Sequence, residues 1–457
     1  LIAFFGSLAA FFCAIVILRT VLETGDIFYF LGGWSPPWGI SLHIDPLGGY
    51  ILLLVTLVAT LVVAWAHDSV TSEIQDDQIN LFWCMFLLCL TGSLGIVVTG
   101  DAFNVFVFLE IASLSTYSLI ALGRDRRALM ASFQYLIMGT VGATFILISI
   151  GLLYMMTGTL NMLDLASRLP ELRDTTTVQA AFAFLTVGVS LKIALFPLHQ
   201  WLPGAYTYAP SAVTVFLAAT STKISLYVLL RFFYTVFGSD YAFDDMNIHY
   251  ILLPLSILAI FVSSLIAVYQ KDLKKILAYS SVSQIGYMTL GVALANAQGL
   301  TAAIVHMFNH GLIKGGLFLA VGGLCLRIRS TSLSDLRGAG RTMPWTMGAI
   351  VLGGCALIGV PLTAGFVSKW YLIVAALEKD MWYVALAILA ASIIAAAYVW
   401  RIVDTLYFQE GDSPGDEVPL YMLLPTWLFI AMLIWLGIDT DLTIGIAERA
   451  VQSLVAP

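Results

Sequence analysis

The stretch LKIALFPLHQWLP (191–203) carries an apolar segment straight into a proline, and LIGVPLTAGFVSK (357–369) does the same later in the chain. Proline lacks a backbone donor and its ring clashes with the carbonyl four residues back, so each apolar helix is kinked or interrupted there, and the matching placement of the two favours an interruption over a mere kink. Each break also has a lysine close by, Lys192 in the first and Lys369 in the second. Inside a bilayer, interrupted backbone and an ammonium group are tolerated only where protein or a water-lined cavity surrounds them. Two such segments in one chain therefore point to a membrane protein with a polar interior.

Composition supports that setting. Of 457 residues, 60% are hydrophobic and 11% charged, and the mean hydropathy is +0.94. Soluble domains carry about 25% charged residues, so a water-soluble fold is excluded. The net charge of −7 argues against nucleic acid as a partner. The five cysteines lie in apolar stretches without C-x-x-C pairs or His/Cys clusters, which argues against disulfides, zinc and iron–sulfur centres. No motif for a flavin, quinone, nucleotide or metal is recognisable, so neither a cofactor nor a metal is expected. Alternating strand patterns are absent, which leaves a barrel without support. The chain starts at Leu1 in an apolar run with no small-residue cleavage site, and reads as a helix of a protein that begins further upstream, not as a signal peptide.

The reading is an all-α polytopic membrane protein. Apolar runs predict thirteen spans, at 2–22, 46–66, 81–99, 101–121, 128–156, 179–198, 209–236, 250–270, 273–294, 299–326, 344–377, 381–408 and 421–438. Ten of them form two sets of five, 81–236 and 250–408, with 1–80 ahead and a C-terminal helix and tail over 421–457. Five is odd, so the second set enters the membrane upside down relative to the first. The proline-broken segment is the fourth member of both sets, the pattern of an inverted-repeat transporter with its site near the midplane. Three basic loops (Arg124/Arg126/Arg127, Lys271/Lys274/Lys275 and Arg327/Arg329/Arg337/Arg341) then share one face, which the positive-inside rule makes cytoplasmic. The acidic segment 68–77 shares that face, and the C-terminus lies outside.

An ionisable group at the bilayer centre costs at least about 2.5–3.5 kcal/mol, so each one within a span is a functional candidate. These are Glu110, Lys192, Lys223, His306, His310, Lys314, Lys369, Arg401 and Asp404, with His199 beside the first break as a further candidate. Arg19, Arg231 and Lys275 sit near span ends and read as snorkelling. His306, His310 and Lys314 are spaced i, i+4, i+8, which lines them along one helix face. One such histidine would pass for a satisfied core residue; three protonatable groups in a row suit a proton relay. A carboxylate about 4 Å from an ammonium contributes about 4 kcal/mol at an effective dielectric of 20. Moving one charge across ~150 mV takes about 3.5 kcal/mol. Making or breaking a Glu110–Lys192 pair is thus on the scale needed to switch such a relay.

PLHQWLPGAYTYAPSAV (197–213) and STKISLYVLLRF (221–232) resemble the antiporter-like subunits of respiratory complex I and of Mrp-type multisubunit sodium/proton antiporters. So do KDLKKILAYSSVSQIGYM (271–288), HMFNHGLIKGGLFLAVGG (306–323) and GVPLTAGFVSKWYL (359–372). The resemblance covers about residues 80–410. It implies fourteen helices, the first lying ahead of Leu1, in two inverted five-helix repeats, each with a broken helix. It further implies that Glu110 is the modulating carboxylate and Lys192 its lysine partner. Lys223 would be the bridging lysine, His306, His310 and Lys314 the central relay, and Lys369 the terminal lysine. Gln134 departs from a position often basic in relatives. Lys369, where some complex I members carry glutamate, and the early end of the chain point to the D-type subunit of an Mrp antiporter or a relative of it.

The implied function is translocation of protons, or exchange of Na⁺ for protons, by one subunit of a bacterial or archaeal cell-membrane complex. Its partners would be other membrane subunits, homologous antiporter-like ones among them, with any redox chemistry in those partners and no catalysis by this chain alone. Membership of complex I or of a membrane-bound hydrogenase, driven by redox partners, or of an inorganic-carbon uptake system is an alternative. A self-contained solute carrier would differ by acting alone, and an inert membrane anchor by tolerating loss of Lys192.

Overall fold

The computed structural model describes residues 1–411 and 416–455. Helix α1 (Ile2–Thr24) leads into a hairpin of β1 (Ile27–Phe30) and β2 (Ser41–Ile44), then α2 (Pro46–Trp65) and the short α3 (His67–Glu73). The first five-helix set is α4 (Ile79–Val98), α5 (Ala102–Ala121), α6 (Arg126–Thr157), the pair α8 (Thr176–Ile193) and α9 (Trp201–Tyr208), and α10 (Ser211–Leu230). The short α7 (Met162–Arg168) follows α6. The second set is α11 (His249–Tyr269), α12 (Leu273–Ala293), α13 (Ala297–Ile328), the pair α15 (Pro344–Ile358) and α16 (Ala364–Glu378), and α17 (Trp382–Val403). The short α14 (Ala339–Thr342) precedes α15. Then come α18 (Leu420–Ile438) and α19 (Asp441–Val455). Every expected span has its helix, and 456–457 of the expected tail lie outside the described residues.

Among the described residues, eleven helices are long and apolar enough to cross a membrane. The expected spans outside that group show why hydropathy alone undercounts. Helix α12 carries Lys274, Lys275, Ser280, Ser281, Ser283 and Gln284, yet almost all of it is buried among other helices. The 344–377 span is two helices of 15 residues each, α15 and α16. Both breaks open ahead of their prolines. Helix α8 stops at Ile193 with Ala194 left-handed (φ 63°), and α15 stops at Ile358 with Gly359 left-handed (φ 90°). Proline disfavours helical geometry in the residue before it, and at these two places the chain leaves the helix early and re-enters beyond it.

The two sets repeat a local construction. Asp101 caps α5 by accepting from the Asn104 N–H at 2.9 Å, and Asp272 caps α12 by accepting from the Lys275 N–H at 3.0 Å. Each aspartate also forms an antiparallel bridge to the loop after the third helix of its own set, Asp101 with Asn161 and Asp272 with Ser332. Those third helices, α6 and α13, are both 32 residues long. Asn161 donates to Ser41 on the hairpin, whereas Lys271, Asp272 and Ser332 line a pocket with Glu73. Helix α2 runs from the hairpin to α3, so the same construction occurs on opposite faces of the molecule.

Small residues hold the helices close, as expected where packing replaces a hydrophobic driving force. At the crossing of α6 and α8, a Cβ on Gly188 would lie 2.7 Å from the Gly142 carbonyl oxygen and 3.0 Å from the Ile146 nitrogen. Gly188→Ala should therefore push these helices apart and cost about 1–3 kcal/mol, read as a lower melting temperature of the solubilised complex. An unchanged melting temperature would show that this crossing is loose.

Two elements escape the sequence reading. The β1–β2 strands are four residues each, too short to produce a periodic signal. Helix α19 alternates polar and apolar residues and so fails any span criterion, but Ile444, Ala447, Val451 and Leu454 form a buried stripe at helical spacing. One residue is a correction. Arg231 does not snorkel: it is buried and ion-paired with Asp45, which lies 186 positions earlier at the start of α2.

Candidate functional site

Lys192 occupies the last turn of α8, where unpaired carbonyls favour a cation. Its Nζ donates to Ser113 Oγ at 2.8 Å and lies 3.4 Å from Glu110 Oε1, both on the adjacent α5. The lysine side chain is 3% exposed and the glutamate 26%, so the carboxylate is the partner with room to move away. Beyond this pair lies a cavity of about 30 Å³, lined by Lys192, Ser93, Ser113, Thr116, Tyr135 and Ser221. A cavity holds a water once it exceeds about 10–15 Å³, and this one has hydroxyls on several sides. Gln134, the departure from the family pattern, is exposed, and Tyr135 beside it takes the inward position.

The cavity reaches α10 on the turn that carries Lys223. Lys223 is fully buried and donates to the Ala218 carbonyl at 2.5 Å, one turn back on its own helix. Helices α10 and α13 touch beside it: a Cβ on Gly311 would lie 3.0 Å from the Ala219 carbonyl oxygen. Gly311 follows His310, so Lys223 and the row of His306, His310 and Lys314 sit on helices in direct contact.

The row on α13 is buried throughout. The rings of His306 and His310 lie parallel, with centroids 5.9 Å apart. His306 Nε2 donates to Gln284 Oε1 at 2.9 Å, and Nδ1 then accepts from Ser368 Oγ at 2.7 Å. Neither ring nitrogen of His310 has a protein partner among the described residues. Lys314 Nζ donates to the Leu277 carbonyl at 2.8 Å and to Ser280 Oγ at 2.5 Å, both on α12.

Ser368 adjoins Lys369, whose Nζ donates to the carbonyls of Leu357 at 3.2 Å and Ile358 at 2.8 Å, with Ser392 Oγ at 3.3 Å. Those two carbonyls end α15 and have lost their helical donors, so the break itself builds the ammonium site. The ammonium also lies over the Tyr287 ring, 4.7 Å from its centroid.

Seven of the ten expected candidates thus lie on contacting helices from Glu110 to Lys369, six of them buried and Glu110 part-exposed. The other three stand apart. Arg401 donates to the Val268 carbonyl, Asp404 accepts from Gln409 Nε2 at 2.8 Å, and His199 stacks on Phe196. The partners Ser113, Ser280, Gln284, Ser368 and Ser392 are missed by sequence reasoning, because a serine in an apolar helix is ordinary. The serine-rich run AYSSVSQ (278–284) is the one signal that could have found some of them.

The three basic loops converge. Arg124, Arg127, Lys271, Lys275 and Arg329 line one pocket of about 820 Å³, together with Glu73. Arg127 and Lys275 also flank the Tyr208 ring, at 4.7 and 5.6 Å from its centroid.

Comparison with known proteins agrees with this architecture. The family model described as NADH:quinone oxidoreductase/Mrp antiporter, TM matches residues 99–395. The N-type subunit of NADH-quinone oxidoreductase from Desulforudis audaxviator is 39% identical, over 94% of this chain and 88% of its own length. The D-type subunit of the Na(+)/H(+) antiporter from Alkalihalophilus pseudofirmus is 30% identical, over 92% of this chain and 85% of its own. A chain in the Mrp complex from Dietzia sp. DQ12-45-1b superimposes with a TM-score of 0.92 at 25% identity, covering 100% of this chain and 92% of that one. Similarity thus extends to the N type of the oxidoreductase as well as to the D type of the antiporter that Lys369 suggests.

Proposed function

The chain belongs to the NADH:quinone oxidoreductase/Mrp antiporter family, whose antiporter-like subunits sit beside other membrane subunits in multisubunit complexes, and from that premise we propose that it carries protons along its buried Glu/Lys/His file. The observation that carries this reading is the pairing of titratable groups on contacting helices with hydroxyl partners: Lys192 with Ser113, Lys314 with Ser280, His306 with Ser368, Lys369 with Ser392.

In this reading the inverted repeats are 81–236 and 250–408, flanked by 1–80 and 421–457. The face where the basic loops meet is cytoplasmic, following the positive-inside rule, and the hairpin and C-terminal helix lie outside. A proton is taken up from the basic face near Lys192, and its affinity there follows the distance of Glu110. It crosses the hydroxyl-lined cavity to Lys223, continues along α13 through Lys314, His310 and His306, and leaves past Lys369. Histidine suits the middle of the route because its two nitrogens can take a proton on one side and release it on the other. Coupled subunits would supply the driving reaction.

The test compares groups on and off the file, in the assembled complex within sealed vesicles. Lys369→Met should stop proton translocation through this subunit, while Arg401→Gln and Asp404→Asn should retain it. The opposite pattern would overturn the assignment.

A further inference from the structure

One buried ion pair has no role in the route above. Asp45 is 1% exposed and caps α2, its Oδ1 accepting from the Gly48 N–H at 2.8 Å. Arg231, 6% exposed, pairs with it through Nη2. Desolvation costs several kcal/mol per ion, and neutral replacements of a buried pair are often no less stable. An asparagine would cap the helix without any charge. Stability alone is thus a poor account of this pair.

Its surroundings form a row. Lys223, Tyr227 and Arg231 are spaced i, i+4, i+8 along α10 and its continuation, the same one-face spacing as the histidine row on α13. All three are buried. Arg231 Nε donates to the Tyr227 hydroxyl at 2.9 Å, and that hydroxyl donates to the Val97 carbonyl at 2.8 Å. Beyond Asp45 the surroundings open. Ser453 of α19 donates to its Oδ2 at 3.5 Å, and His43, two residues ahead, pairs with the one-third-exposed Asp26 at 2.8 Å.

We propose that Lys223, Tyr227 and Asp45 form a normally closed proton outlet from the first half to the hairpin face, with Arg231 as its gate. The proposal rests on the proton-relay reading. In the closed state Arg231 holds both the Tyr227 hydroxyl and the Asp45 carboxylate, so neither can exchange a proton with the other. When the guanidinium withdraws, the Lys223 ammonium, which rests on the Ala218 carbonyl, swings toward Tyr227 and gives a proton to its oxygen through water. Tyr227 passes its own hydroxyl proton to the Asp45 carboxylate. Lys223 is left as a neutral amine, Tyr227 is unchanged, and Asp45 becomes a neutral acid. Asp45 then releases the proton to water at the hairpin face, and Arg231 returns. The helix α19, which touches Asp45 through Ser453, is placed to set how readily the pair opens.

The experiment measures passive proton leak in sealed vesicles holding the full complex, with its driving reaction idle. Arg231→Gln removes the gate but keeps Asp45, and should raise the leak severalfold. Adding Tyr227→Phe, which removes the hydroxyl and keeps the ring, should return it to the wild-type level. If Arg231→Gln prevents assembly, Arg231→Lys keeps the charge but cannot hold both partners in one planar fork, and should leak more than wild type. An assembled Arg231 variant without added leak, or a leak that survives Tyr227→Phe, overturns the outlet. Failure of the relay itself would appear separately, as driven transport that survives loss of Lys314.

Discussion

Lys314→Arg should stop proton translocation through this subunit as completely as Lys314→Met. The native ammonium meets the Leu277 carbonyl and the Ser280 hydroxyl, and a guanidinium has donors for both. Arginine therefore supplies the same charge and comparable hydrogen bonds. What it cannot do is release a proton, because it stays protonated throughout the physiological range. Methionine keeps the length and packing and removes the carrier. Losing a positioned proton-transfer group costs about 10²–10⁴ in rate, so both variants should fall at least a hundredfold in vesicle measurements corrected for assembly. Near-normal transport in Lys314→Arg would show that the position supplies charge alone, and the route would have to bypass it.

The second large effect is expected at Glu110. Its carboxylate lies 3.4 Å from Lys192 Nζ, close to the separation at which a pair contributes about 4 kcal/mol at an effective dielectric of 20. Glu110→Gln keeps the shape and an acceptor oxygen but removes the charge, leaving Lys192 without a counter-ion. Assembly should survive, since the side chain is partly exposed, while driven transport drops strongly. Glu110→Asp shortens the reach but keeps the charge, and should retain part of the rate. Driven transport in Glu110→Gln equal to wild type would remove this pair from the mechanism.

The parts of this site that are legible in the sequence are those with a strong penalty behind them. A lysine in an apolar span is costly enough that its presence identifies the interior, and His306, His310 and Lys314 declare their common face by spacing alone. Groups whose role depends on another element are not legible. Arg231 reads as an interfacial residue because its burial is decided by Asp45, brought from a distant helix start. The hydroxyls around Lys192 and Lys369 carry no penalty that would distinguish them from packing serines. The same logic separates the helices from the rest of the fold. Long apolar runs announce themselves, whereas the four-residue strands and the amphipathic α19 take their places through tertiary contacts.

Lys223 is the one lysine on α10, and in the proposed route every proton bound for the second half passes through it. The most direct measurement is driven proton translocation by the reconstituted complex with Lys223→Met, at matched assembly. This subunit's share of translocation should disappear. Translocation at the wild-type stoichiometry would contradict a continuous file from Glu110 to Lys369.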